Sequence, residues 1–118
     1  MKKKIDLWEA ENIFYQKSHP IRISKFICHY EIFKKVMKVK GDIFEFGVFK
    51  GASLSRFCKF NELYKTKKRI FGFDAFGNFP ISGLEDDIKF AKKHDKQIGL
   101  GISKKLLSNN LKNSGQPF

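Results

Sequence analysis

The sequence predicts an α/β fold with an incomplete parallel sheet. Two short apolar segments, residues 43–48 and 69–74, have the aromatic and β-branched composition of buried strands. A pair of glycines and a segment with helical periodicity separate them, which is the order of a β-α-β unit with a right-handed crossover. The predicted elements are therefore an N-terminal helix, this β-α-β unit and a helical insertion.

The N-terminal helix is predicted to follow a polar lead-in, residues 1–17. Ser18 and Pro20 form its entrance, since proline is tolerated in a first turn, and Gly41 ends it. Apolar residues recur between them at steps of three and four, which gives the helix one apolar face. These residues are Ile23, Phe26, Ile27, Tyr30, Phe33, Val36 and Met37. Residues 18–118 are interpreted as the N-terminal portion of one domain.

The first predicted strand, residues 43–48, contains a carboxylate, Glu45, although its composition predicts burial on both faces. Gly47 and Gly51 follow it. A glycine after a strand permits a tight turn, and a glycine at a helix start lets a ligand approach the free backbone N–H groups. A helix is predicted over residues 52–65.

Asp74 ends the second predicted strand, 23 positions after Gly51. This is close to the interval of about 20 residues at which a carboxylate meets the ribose hydroxyls of a bound nucleoside. Ligands bind beyond the carboxyl ends of parallel strands, where Gly47, Gly51 and the Ser53 hydroxyl are also expected. These residues predict a nucleoside site.

The glycine pattern departs from GxGxxG because Val48 follows the first glycine. Side chains in the turn would hinder a pyrophosphate, and Glu45 would repel one. A cofactor with a nucleoside and positive charge fits better, with Asp74 on the ribose and Glu45 facing the cation. S-adenosylmethionine has these features. The alternative is a purely structural turn in which Glu45 pairs with a nearby lysine.

The remainder of the chain is predicted to be a loop, residues 75–83, followed by two helices. The first helix has acidic residues ahead of lysines, which is the order that a helix dipole favours. Ser103 is the predicted N-cap of the second helix, which is expected to end near Gly115. Because two parallel strands leave faces and edges uncovered, the sequence is expected to be the first part of a larger domain, truncated before the third strand.

Composition narrows the class of protein. The formal net charge is +12, but only three of the 24 basic residues are arginines and the lysines are scattered, so no nucleic-acid partner is predicted. Cys28 and Cys58 lack metal-ligand spacing and are interpreted as reduced core thiols. No segment has the roughly 18 apolar residues of a membrane span. A cytoplasmic protein without a membrane partner is therefore predicted.

Two stretches carry a family resemblance: "HPIRISKFICHYEIFKKVMKVKGDIFEFGVFKGASLSRF" and "RIFGFDAFGNFP". They contain, in order, a helix, an ExGVxxGxS turn and an FGFDxFxxxP strand-loop. With these features they resemble the N-terminal half of the TylF/MycF (macrocin O-methyltransferase) family of class I S-adenosylmethionine-dependent methyltransferases. The resemblance covers residues 18–80 and implies a partial Rossmann-like methyltransferase fold. Residues 84–115 are similar to a helical insertion of some members.

The resemblance implies that the cofactor-binding residues are Glu45, Gly47, Gly51 and Ser53 in the turn and Asp74 at the ribose. It also implies a Mg²⁺ site and a catalytic base on later strands, whose residues are not found in this sequence. The other candidate residues do not match the family's motifs. Three of them lie in the insertion, Asp86, Asp87 and His94, and two lie in the first helix region, His19 and His29. No catalytic or metal-ligating residue is therefore predicted.

The resulting hypothesis is an O-methyltransferase acting on a hydroxyl of a sugar or another small molecule, with impaired or no activity in a truncated chain. Two alternatives stay open: a basic nucleic-acid-binding module and a non-functional gene fragment. The uncovered strand edge also makes self-pairing into a homo-oligomer an expectation.

Overall fold

The computed structural model describes residues 4–112, in which five helices accompany a two-stranded parallel sheet. The elements are α1 (Leu7–Lys17), α2 (Ile21–Val36), β1 (Ile43–Phe46), α3 (Ala52–Leu63), β2 (Ile70–Phe73), α4 (Glu85–Ile98) and α5 (Lys104–Lys112). The predicted α/β class and the β-α-β unit are confirmed. The predicted end of the last helix near Gly115 lies outside the described residues.

The polar lead-in forms a helix, α1, where no secondary structure was predicted. Asp6 caps its N-terminus: one carboxylate oxygen, Oδ1, accepts hydrogen bonds from the backbone N–H groups of Trp8 at 2.9 Å and Glu9 at 3.3 Å. An aspartate followed three residues later by a glutamate is a recognised helix-start pattern. Helix α1 buries no side chain, so its local capping, rather than packing, defines it.

Helices α2 and α3 pack together through aromatic rings. Phe33 of α2 is 0% exposed, and its ring centroid lies 5.6 Å from that of Phe60 of α3. Phe26 makes an edge-to-face contact with the same ring at 5.5 Å. The predicted apolar face of α2 is only partly used, because Ile27 remains exposed. Cys58 is buried in α3 as predicted, whereas Cys28 of α2 is exposed and the prediction of a core thiol there was wrong.

Strands β1 and β2 are paired in parallel, with Phe44 opposite Phe71, Glu45 opposite Gly72 and Phe46 opposite Phe73. The prediction that β1 is buried on both faces was wrong, since Phe44 is 55% and Phe46 is 79% exposed. Helix α3 contacts one side of this pair, and the phenylalanines stack on each other on the opposite side. The centroids of the stacked rings, Phe44 with Phe71 and Phe46 with Phe73, lie 5.0 and 5.1 Å apart, so the rings partly cover one another.

The core behind the sheet joins the turn after β1 to α3 and α5. Its buried residues are Val48, Leu54, Leu107 and Leu111. The predicted N-cap of α5 is confirmed, because Ser103 Oγ accepts a hydrogen bond from the Leu106 N–H at 3.2 Å. Helix α5 is therefore held against the β1–α3 turn, which is the region that the sequence predicts to bind a ligand.

Candidate functional site

The turn between β1 and α3 depends on left-handed backbone at its glycines. Gly47 has φ +90° and Gly51 has φ +85°, and Phe49 between them has φ +52°. The Gly47 N–H donates to the carbonyl of Phe73 at 2.8 Å, which ties the start of the turn to the end of β2. Glycine adopts positive φ without steric cost, so these two positions account for the spacing of the motif.

The two glycines have different surroundings. A Cβ added to Gly47 would meet no atom within 4 Å, so the backbone there faces open space. A Cβ on Gly51 would lie 2.7 Å from Leu107 Cδ1. Gly51 is therefore covered by α5, and its backbone is not exposed to a ligand in the way that the sequence reasoning expected. Its role in this structure is the close packing of α5 on the turn.

Asp74 is bonded to the turn itself. Its Oδ2 accepts hydrogen bonds from the N–H groups of Val48 at 2.7 Å and Phe49 at 3.0 Å, and its Oδ1 accepts from the Phe76 N–H at 2.8 Å. These backbone donors, those of Phe49 and Phe76 first, lower the pKa of the Asp74 carboxyl. The Ala75 N–H contributes to the same lowering, so the carboxylate, which has about four acceptor positions, is bonded mainly to the backbone around it.

Glu45 faces α3, where one carboxylate oxygen, Oε1, accepts a hydrogen bond from the Ser53 hydroxyl. Its other oxygen, Oε2, is buried and has no hydrogen-bond partner among the described residues. Burial raises the pKa of the Glu45 carboxyl, and the Ser53 hydrogen bond opposes the shift. No lysine pairs with Glu45 within residues 4–112, so the lysine partner of the structural alternative is replaced by Ser53.

A cleft of about 460 Å³ opens beside Asp74, between the loop after β2 and the end of α4. We call it the Asp74 cleft. Its walls are mainly aromatic or backbone: they include Gly47, Phe49, Phe73, Ala75, Gly77 and Phe79. A volume of this size is typical of small-molecule sites.

His94 and Asp95 also line the Asp74 cleft, and sequence reasoning placed His94 outside the site. Asp95 Oδ1 accepts a hydrogen bond from the Phe79 N–H at 3.1 Å and lies 3.6 Å from His94 Nδ1. The His94 ring packs against Phe79, with 4.8 Å between centroids. Only the fold of the loop onto α4 brings these residues to the cleft, so the local sequence contains little signal for them.

The predicted site residues surround one turn but do not share one cleft. Gly47 and Asp74 line the Asp74 cleft. Gly47 and Ser53 line a second cleft on the α2 side of the turn. Glu45 lies behind the turn, at a groove between α2 and β1. Of the predicted site residues, Gly47 is therefore the one that lines both clefts beside the turn.

The Asp74 cleft fits a nucleoside in its chemistry. Phenylalanine rings can stack on a base, the Gly47 backbone leaves room for close approach, and the Asp74 carboxylate lines the cleft. A metal has no comparable site in the described part of the chain, where no group of three or more His, Cys, Asp or Glu side chains could hold one. The Mg²⁺ that the family resemblance implies therefore has no residues assigned to it.

Comparison of the chain with family models, with curated proteins and with solved structures found no match. The methyltransferase resemblance thus stays a prediction that rests on the motif residues. Within residues 4–112, no helix combines the length and the apolar character that crossing a membrane requires.

Proposed function

We propose that this chain binds S-adenosylmethionine in the Asp74 cleft and serves methyl transfer to a hydroxyl of a sugar or another small molecule. The observation that carries the proposal is the arrangement at the carboxyl ends of β1 and β2, where an open glycine turn and a strand-end carboxylate line one aromatic cleft. The resemblance to TylF/MycF-type methyltransferases in the same residues supports it.

Each residue has a proposed task. Asp74 would accept a hydrogen bond from the ribose at a carboxylate oxygen shared with the backbone donors, whose bonds hold the turn in shape. Phe49, Phe73 and Phe79 would enclose the base and exclude water. One buried oxygen of Glu45 has no hydrogen-bond partner among the described residues, and the ionised carboxylate would add negative potential behind the turn, which would favour a cationic ligand over a phosphate.

The bound cofactor would supply the reactive methyl group, and the protein would supply position. Alignment of an acceptor hydroxyl with the methyl carbon is the contribution expected of the cleft walls. His94 lies at the same cleft, with Nδ1 near Asp95, but no proton transfer is assigned to it. The proposal therefore assigns binding residues and no catalytic residue.

Calorimetric titration with S-adenosylhomocysteine tests the proposal. Ala75→Phe would add a bulky ring to the wall of the Asp74 cleft and keep every backbone N–H group that bonds to Asp74, so we expect it to weaken binding at least tenfold. The matched control is Ala10→Phe on the exposed surface of α1, which should bind like the unmodified chain.

The outcome also separates the methyltransferase from the nucleic-acid alternative. Binding to the cleft should change little between low and physiological salt, whereas binding through lysines to nucleic acid falls steeply with salt. The proposal would be contradicted if S-adenosylhomocysteine did not bind the unmodified chain. It would also be contradicted if Ala75→Phe and Ala10→Phe weakened that binding equally.

A further inference from the structure

The second cleft beside the turn is strongly basic. It measures about 540 Å³, and its basic lining residues are Arg22, Lys25, His29, Lys50 and Arg56. No acidic side chain is among the residues that line it. We call it the basic cleft. The Lys50 ammonium donates to the carbonyl of Ile98 at 3.1 Å, which holds it in place and leaves its charge. Arg22, Lys25 and Arg56 supply further positive charge.

The arginines of this cleft differ from the remaining arginine of the sequence. Arg69 is paired with Asp42 through two hydrogen bonds, from Nε at 3.0 Å and from Nη2 at 2.7 Å. Arg22 and Arg56 instead line the same cleft, and no acidic residue within residues 4–112 forms an ion pair with either. Two of the three arginines of the sequence therefore lie in one cleft, and no carboxylate of residues 4–112 forms an ion pair with them.

The basic side chains also lie close to each other. Arg56 Nη1 is 3.4 Å from His29 Nδ1. Burial, and then the charge of Arg22, lowers the pKa of Arg56. Burial, followed by the charges of Arg56 and Lys25, lowers the pKa of His29. Positive charges that converge in a cleft repel one another, and a bound anion relieves this repulsion. Such a cluster is typical of a binding site.

We propose that the basic cleft binds the phosphate group of a phosphorylated small molecule. Arginine guanidinium groups form paired hydrogen bonds with phosphate oxygens. A phosphate monoester carries nearly two negative charges at neutral pH and so balances several cations better than a single carboxylate. The cationic residues converge on one concavity instead of following an extended stripe, which favours a small molecule over a nucleic-acid backbone.

The position of the basic cleft relates the phosphate to the proposed reaction. Gly47 and Phe49 line both this cleft and the Asp74 cleft, so the two lie on opposite sides of one turn. A phosphorylated molecule in the basic cleft is therefore the proposed methyl acceptor. This assignment as acceptor rests on the proposed function, whereas the phosphate site does not.

Titration of the chain with inorganic phosphate, followed by backbone amide NMR at constant ionic strength in chloride, tests the site. We expect saturable shifts at residues lining the basic cleft. Arg22→Gln and Arg56→Gln should each weaken binding about tenfold, as loss of a charge-assisted hydrogen bond predicts. Arg56→Lys should also weaken it, because it keeps the charge and removes the planar fork.

The matched control is Lys35→Gln, which removes one positive charge from the exposed part of α2 and should leave the affinity unchanged. Each variant's amide spectrum also reports whether its fold is retained. Lack of saturation, or equal weakening by Lys35→Gln, would overturn the phosphate site. Retention of a single-stranded oligonucleotide in place of inorganic phosphate would overturn it in favour of a nucleic-acid surface.

A parallel titration with S-adenosylhomocysteine distinguishes this inference from the proposed function. Phosphate should bind equally well in the presence and absence of that ligand. Competition between the two, with Arg56→Gln weakening both, would show that the cleft holds the cofactor carboxylate and would refute the inference. If phosphate binds and S-adenosylhomocysteine does not, the phosphate site is supported and its assignment as the methyl-acceptor site is contradicted.

Discussion

Gly51→Ala tests how the turn is built. The added Cβ would lie 2.7 Å from Leu107 Cδ1, and the residue would keep φ +85°. Leu107 is 6% exposed and packs in the core with Val48 and Leu54, so it has little room to move. The left-handed conformation costs about 1 to 2 kcal/mol and overpacking about 1 to 3 kcal/mol. We therefore expect a loss of about 2 to 5 kcal/mol in unfolding free energy.

Gly47→Ala is the matched control, because it has nearly the same φ, +90°, and open space around the new methyl group. It should cost only the conformational part, about 1 to 2 kcal/mol. Leu107→Ala in the Gly51→Ala background should relieve the contact, so the double variant should be less destabilised than the sum of the single variants. Urea unfolding followed by far-UV circular dichroism measures the unmodified chain, the three single variants and the double variant.

Equal losses in Gly51→Ala and Gly47→Ala would refute this explanation of the second glycine. Additive costs in the double variant would refute it as well. Either result would mean that α5 does not press on Gly51 in solution, and that the position is free for the ligand approach that the sequence first indicated.

The remaining predictions concern the two carboxylates of the turn. Asp74→Asn should lower the unfolding free energy by about 1 to 3 kcal/mol at pH 7, because an amide cannot accept all three backbone hydrogen bonds. Since the folded state lowers the pKa of Asp74, this difference should be complete above the unfolded value of about 3.9 and should vanish on acidification through the lower folded value. Glu45→Gln should have the opposite sign: burial raises the pKa of Glu45, so the wild-type chain loses stability relative to the variant as pH rises from the unfolded glutamate value of about 4.3 through the higher folded value. The variant should therefore be as stable as the wild-type chain or more stable at pH 7. Urea unfolding of each variant beside the wild-type chain at a series of pH values measures both, and a Glu45→Gln variant that is less stable than wild type at pH 7 would contradict the second.

Local patterns in the sequence predict most of the fold. The β-α-β unit follows from apolar segments and glycines, and the Ser103 cap follows from its side chain and position. Helix α1 was missed although Asp6 and Glu9 have helix-start spacing, since the segment has no apolar face that would bury it. Burial of β1 on both faces was overestimated, because composition describes the strand and not the number of layers around it.

The candidate site could be predicted only in part, for a physical reason. Gly47 and Asp74 meet because the ends of adjacent parallel strands must meet. The hydrogen bonds that Asp74 forms to the turn depend on the dihedral angles of Phe49 and its neighbours, which the sequence does not specify. Arg22 and Arg56 lie in different helices, and only the packing of α2 on α3 brings them to one cleft.

Mapping S-adenosylhomocysteine onto the chain by backbone amide NMR tests the central claim most directly. We expect saturable shifts concentrated at Gly47, Ala75 and Gly77, which line the Asp74 cleft, with little change in α1. Shifts that do not saturate, or that lie mainly outside this cleft, would contradict the proposed cofactor site.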